Sequence, residues 1–297
     1  IPSLPVIGSD QRFPIRRVFC IGRNYAEHAR EMGASVDTAA PMFFCKPADA
    51  VVGDGADVPY PQATGDLHHE VEMVVALGAG GRDLTPEQGA ALVWGYGVGL
   101  DLTRRDLQAQ AKAKAHPWDV AKGFDHSAPV SALRQATGTA LDAGTALRLH
   151  VNGELRQQAT LGEMVHDVPH IIAALSTLFE LKAGDLIFTG TPAGVAALQR
   201  GDRFHAELHV VDGDILHQIF LYVAHVDFLF PVRRCRIANH DRIAFNRCFR
   251  TGRLPLQQRI VPRFSARDHG RGTARRRARG RRRCPRGPGP HPRPPGR

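Results

Sequence analysis

The chain has 297 residues, 43% of them hydrophobic, and a formal net charge of +10. That length allows one large domain or two, and the apolar fraction suffices for a real core. The charge is uneven: residues 217–297 hold 21 Arg, no Lys, 3 Asp and no Glu, a net of +18, so residues 1–216 carry −8 and a basic surface is excluded for that body.

Five cysteines, at 20, 45, 235, 248 and 284, form no C-x-x-C pair. Cys20 and Cys45 sit in apolar contexts (VFCIG, FFCKP), so reduced core thiols and a cytoplasmic location are expected rather than disulfides or a zinc site. The start, IPSLPVIGSD, lacks a basic n-region and does not read as a signal peptide. No apolar stretch approaches membrane-spanning length.

In chain order, RRVFCIG (16–22) predicts a strand. NYAEHAREMG predicts a short helix with Asn24 as cap, Glu27 completing a capping box and Gly33 as stop. PMFFCKP predicts a second strand, and VVGDGADVPYP, rich in Gly, Asp and Pro, predicts turns. LHHEVEMVVALG (67–78) is a strong strand pattern. TPEQGAALV opens a helix with Thr85 as cap, Pro86 at the first helical position and Gln88 closing the box. GYGVGLDL predicts a glycine-spaced strand and TRRDLQAQAKAKA a helix. LRLHVNGELRQQ predicts a hairpin turning at Asn152-Gly153. HDVPHIIAALSTLF predicts an amphipathic helix with apolar residues at 171, 172, 175, 178 and 179. GDLIFTGTPAGV predicts a strand ending in a tight turn. Strands outnumber helices and many are joined by hairpin-length turns, so the fold class is α+β with an antiparallel or mixed sheet. No phosphate loop or dinucleotide fingerprint appears, which argues against a nucleotide cofactor.

The pattern HHEVEMVV puts Glu70 and Glu72 on one strand face, opposite Val71, Met73 and Val75. A half-buried strand with a wet polar face would explain that. So would a cation held between two acids. Asp101 ends GYGVGLD, at the mouth of the next helix, where a helix cap is the plain alternative. The three together would make an all-oxygen site suited to Mg²⁺, Mn²⁺ or Ca²⁺. His28 and Glu31 stand i, i+3 on one helix face, so the carboxylate can orient the imidazole. Arg105 and Gln108 repeat that spacing in the first turns of a helix, an end that favours anions.

The blocks GRNYAEHAREMG, FFCKPADAVV, HHEVEMVV, GLDLTRRDLQ, PWDVAKGFDHSAPV, VNGELRQ and GDLIFTGTPAGV, in this order, resemble the fumarylacetoacetate hydrolase family. Within it the chain is most similar to the fumarylpyruvate hydrolases and acylpyruvases, over roughly residues 5–216. The resemblance implies a mixed β-roll, usually dimeric, with one divalent cation per subunit. It implies Glu70, Glu72 and Asp101 as metal ligands and His28 and Glu31 as a catalytic dyad on a lid. It places Lys122, in AKGFD, beside the bound substrate as a further catalytic residue. Arg105 and Gln108 match the substrate-contacting pair, and Gly190 and Thr191, in TGTP, the contact to the substrate carboxylate. Arg23 and Lys46 are further candidates for substrate binding. His68 and His69 are expected to be supporting or structural residues, and His116, His166 and His170 carry no constellation.

The activity implied is hydrolysis of the carbon–carbon bond of a 3-acylpyruvate, with fumarylpyruvate giving fumarate and pyruvate in aromatic catabolism. Oxaloacetate decarboxylation and the isomerisation of a 2-hydroxyhepta-2,4-dienedioate are the alternatives on the same site. The expected domains are a catalytic body, 1–216, and an extension, 217–297, rich in Arg, Pro and Gly. That extension reads as an off-frame or non-native segment, or as a disordered basic tail. Nucleic acid would then be a partner only non-specifically, through its arginines. Residues 217–232 are apolar enough to form or mimic a last strand.

Overall fold

The computed structural model describes residues 1–35, 38–136, 141–212, 215–223 and 226–227. The arginine-rich end of the expected extension lies outside the described residues.

The main sheet uses strands Arg17–Gly22 (β1), Met42–Lys46 (β2), Val51–Gly53 (β3), Val71–Leu77 (β4), Val93–Leu100 (β5) and Ala128–Val130 (β6). A smaller antiparallel sheet begins with Ala146–Val151 (β7) and Glu154–Thr160 (β8). Asp185–Phe188 (β9) returns to the main sheet, and Phe204–Asp212 (β10) and Ile215–Val223 (β11) complete the small one. The strand orders are β2-β1-β9-β4-β5-β6-β3 and β8-β7-β10-β11. Two pairings, β1 with β9 and β3 with β6, are parallel, so the large sheet is mixed. β11 spans the expected domain boundary between 216 and 217.

Helices Ala26–Glu31 (α1), Pro86–Ala90 (α2), Arg105–Ala113 (α3), Asp119–Lys122 (α4) and Val168–Leu178 (α5) pack around the sheets. Thr85 and Gln88 make the expected capping box of α2. Asn152 and Gly153, at φ 53° and 83°, make the expected hairpin turn. β4 is buried on both faces. Val71, Met73, Val75 and Leu77 meet one core, shared with Leu147 and Leu149 of β7 and Ile171, Ile172 and Leu175 of α5. Val74 and Ala76 face a second core, with Val18, Cys20 and Phe188. Glu72 alternates with Met73, so it projects on the side of that second core.

Five local expectations are corrected. Tyr25, not Asn24, occupies the cap position of α1, without a side-chain cap bond. Asn24 instead ties two distant loops: its Nδ2 donates to the carbonyls of Thr189 (2.7 Å) and His166 (2.9 Å), and its Oδ1 accepts from the His166 N–H. Glu27 pairs with Arg30 rather than closing a box. Residues 51–61 are not all turn, because Val51–Gly53 pairs with β6 and Val58–Pro59 pairs in parallel with Val226–Asp227. Cys45 is exposed, since β2 is an edge strand, whereas Cys20 is buried. Leu178, at the end of α5, is exposed as well.

Candidate active site

Glu70, Glu72 and Asp101 are 4%, 1% and 1% exposed, and one oxygen from each lies within 4.8 Å of the others. Glu70 immediately precedes β4, Glu72 is its second residue, and Asp101 follows β5, its antiparallel neighbour. Strand pairing therefore brings the three acids together from positions thirty residues apart. Basic side chains packed against them offset much of their charge. Lys122, at the end of α4, donates to Glu70 Oε2 (2.6 Å) and Asp101 Oδ2 (2.7 Å). Arg105, the first residue of α3, donates to Glu70 Oε1 (2.5 Å) and to Gln108 Oε1 (2.7 Å). Lys46 is fully buried behind them, 2.8 Å from Asp101 Oδ1 and donating to the carbonyls of Leu102 and Lys122.

These charges tune one another. Burial opposes ionisation of Glu70, but Lys122 and Arg105 outweigh it and hold its carboxyl well below the usual range. Burial likewise opposes the charged form of Lys122, and Asp101 with Glu70 overcomes it, raising the ammonium's pKa. Glu72 has the opposite fate: burial, then Asp101 and Glu70, push it well up. Among the described residues its carboxylate accepts one hydrogen bond, from the backbone Gly190 N–H at 2.7 Å.

That asymmetry is the test for a cation. The donors are three carboxylates, the hard oxygen set that divalent Mg²⁺ or Mn²⁺ prefers. Glu72, unlike Glu70 and Asp101, forms no ion pair among the described residues, and the more distant Lys122 only partly offsets its burial. Asp101 Oδ1 is close to Lys46 but without a hydrogen bond's alignment, which leaves it as a buried acceptor. The residues fit a divalent cation.

His28 and Glu31 face this cluster from α1. His28 Nδ1 is 3.3 Å from Glu31 Oε2, and both Glu31 oxygens accept from the Gly194 N–H at 3.2 Å. A carboxylate on Nδ1 favours the tautomer with its proton there, leaving a lone pair on Nε2. Burial lowers the imidazole pKa, against the opposing pull of Glu70 and Glu31.

A cavity among these groups is lined by Arg23, His28, Glu70, Glu72, Asp101, Arg105, Gln108, Lys122 and Thr191 of the expected set. Lys46 and Gly190 stand behind it. The Gly190 N–H is committed to Glu72, and Thr191 Oγ1 accepts from Gln157 Nε2 (2.9 Å). His69, buried, contacts Gln157 Oε1 at 2.9 Å, and His68 lies 3.3 Å from Arg105 Nε. Gln157 was missed. It also accepts from the Val71 N–H and donates to the Pro192 carbonyl, joining β8, β4 and the turn after β9. Its one signal was a place two residues from Ala159 on the inward face of a strand otherwise largely exposed. Lys112, at i+7 from Arg105 on α3, also lines the cavity.

Burying this many ionised groups gives no stability that apolar packing could not give better. Such clustering of perturbed acids and bases in a cleft is what a reaction requires, so the chain is an enzyme. It belongs to the fumarylacetoacetate hydrolase family: the family profile described as Fumarylacetoacetate (FAA) hydrolase C-terminal matches residues 17–219. Among curated relatives, it is 44% identical over 191 residues to oxaloacetate tautomerase YcgM of Escherichia coli, covering 64% of this chain and 87% of that protein. It is 36% identical to the mitochondrial oxaloacetate decarboxylase of Dictyostelium discoideum, covering 69% and 94%. Among solved structures, fumarylpyruvate hydrolase from Pseudomonas aeruginosa, in complex with Mn²⁺ and pyruvate, superposes with a TM-score of 0.69 at 46% identity. That match covers 75% of this chain and 95% of the other. Among the described residues no helix is long and apolar enough to cross a membrane.

Proposed function

We propose that the enzyme hydrolyses the carbon–carbon bond of a 3-acylpyruvate, with fumarylpyruvate as the favoured substrate. The observation that carries this reading is the His28–Glu31 pair beside three buried carboxylates, because hydrolysis needs a base for water next to a site for the 2-oxo acid. The likeness to the Pseudomonas fumarylpyruvate hydrolase supports it.

Glu70, Glu72 and Asp101 would hold one Mg²⁺ or Mn²⁺, which supplies charge neutralisation at the 2-oxo acid end. Arg105 and Gln108, with the Thr191 turn, bind the pyruvyl carboxylate. His28 Nε2 takes a proton from water as the oxygen attacks the acyl carbonyl, and Glu31 steadies the imidazolium. The bond between that carbonyl carbon and C3 then breaks, and its electron pair passes to the pyruvyl fragment. Lys122, fixed by two carboxylates, donates toward the oxygen on which that charge develops. Protonation at C3 gives pyruvate, and the acyl group leaves as a carboxylate. Further parts of the proposal are a homodimer, a cytoplasmic location and a role in the breakdown of aromatic compounds.

A second reading follows from the relatives named for oxaloacetate tautomerase and decarboxylase activity. Oxaloacetate would use the same near end, but neither reaction needs an attacking water. The test is incubation with Mg²⁺ and fumarylpyruvate, acetylpyruvate or oxaloacetate, with identification of the products. Fumarate and pyruvate from the first are expected. Change in oxaloacetate alone would transfer the assignment to the second reading.

A further inference from the structure

The cavity among the carboxylates adjoins a larger one of about 370 Å³, and the two share Gly22, Arg23 and Met42. The larger space runs past Ser35, Pro41 and His166, away from the acids. Four cations line the inner cavity: Arg23, Arg105, Lys112 and Lys122. Arg105 and Lys122 are paired with carboxylates at 2.5–2.7 Å. Arg23 and Lys112 are not. Among the described residues neither side chain forms a hydrogen bond or an ion pair, and the Lys112 ammonium instead lies 5.2 Å from the centre of the Trp118 ring.

Three features show these two charges acting on one space. Arg105, Gln108 and Lys112 stand at i, i+3 and i+7 on α3, and all three line the cavity. Lys112 is the most exposed of them. Partial cover of its ammonium, then Arg105 and Arg23, lower its pKa, so Arg23 is close enough to repel it. Arg23 also holds φ at 59°, a left-handed conformation that an arginine adopts only where its surroundings impose it, and such strain concentrates at ligand sites.

We propose that Lys112 and Arg23 form an anion subsite that takes the remote carboxylate of a dicarboxylic 2-oxo acid. The inference rests on reading the near end as a 2-oxo acid site, and it deepens that reading to a substrate class. Arg105 and Gln108 serve the near carboxylate. A second negative charge, one acyl chain away, would meet the two cations that no carboxylate pairs with among the described residues. Monocarboxylic acylpyruvates offer nothing there.

Calorimetry on the full chain with Mg²⁺ tests this without turnover. The probes are 2-oxoadipate and 2-oxohexanoate, equal in length and differing in the remote carboxylate. Wild type should favour the dicarboxylate by about tenfold or more, the scale of a charge-assisted contact. Lys112→Ala and Arg23→Ala should each remove most of that preference, Lys112→Glu should reverse it, and Lys112→Arg should keep it. Equal affinities in wild type, no binding of either acid, or an unchanged preference in Lys112→Glu would overturn the subsite. Failure to cleave any acylpyruvate, with the preference intact, would overturn the hydrolase reading alone.

Discussion

Gly190 donates its backbone N–H to the carboxylate of Glu72 at 2.7 Å, so the turn after β9 positions an acid of β4. Gly190 has φ at 97°, and a Cβ there would come 2.6 Å from the Asn24 Cβ. Gly190→Ala should therefore cost about 1–3 kcal/mol of stability. It should also weaken Mg²⁺ affinity, because relieving the clash moves the backbone N–H that orients Glu72. Thermal melts and metal titration check both effects, and a variant with normal values for each would remove the turn from the site.

Asp101 and Glu72 should separate on substitution, although either change should abolish metal-dependent turnover. Asp101→Asn deprives Lys46 and Lys122 of a shared counter-charge in a buried setting, and should cost about 3–5 kcal/mol. Glu72→Gln removes a carboxylate whose folded pKa is raised, so the metal-free chain should be as stable as wild type or more so at pH 8. The sign follows from that shift. Glu72 favours the fold when protonated, and this contribution is lost as pH rises above the ordinary carboxylate range. The Glu72→Gln chain should therefore lose less stability than wild type between pH 5 and pH 8. Melts of EDTA-treated protein would show it, and a larger loss in the variant would contradict the assignment.

Of the fold, the strands with strong alternation and the helices with box or hairpin chemistry were legible, since those signals are local. Glu70, Glu72 and Asp101 were legible by residue type and position. Their burial was not, because it depends on which strands pair with β4. Asn24 shows the limit. Its capping signal was sound locally, but partners at His166 and Thr189, more than a hundred residues away, took its side chain instead. The Gly and Asp flanking Val51–Gly53 signal a turn, yet pairing with β6 makes it a strand.

His28 offers a pH readout. Its pKa is lowered, chiefly by burial, so the neutral imidazole that serves as base persists below pH 6.5. The acid limb of kcat/KM for acylpyruvate cleavage should have an apparent pKa below that value. His28→Ala should lower the rate by roughly 10²–10⁴-fold and abolish the limb. Oxaloacetate decarboxylation, which needs no attacking water, should suffer less. Equal, small losses in both reactions would reduce the dyad to a lid contact.

The C-terminal boundary makes the last prediction. Every described element lies within Ile1–Val232, and the family match ends at residue 219. The site draws on residues 23–194, and its scaffold is completed by β10 and β11, which end at Val223. A chain ending at residue 232 should therefore retain metal-dependent activity. A cut at 212 should not, because it removes β11, the partner of β10 along its whole length, and exposes the buried Phe204, Ala206 and Leu208 side of that sheet edge. The arginines beyond 232 should bind DNA or RNA without sequence preference, with affinity falling steeply as salt is added. Filter binding across a salt series, with both truncations, separates these outcomes. Loss of activity on cutting at 232, or a nucleic-acid complex that survives high salt, would make the C-terminal segment a working part of the enzyme.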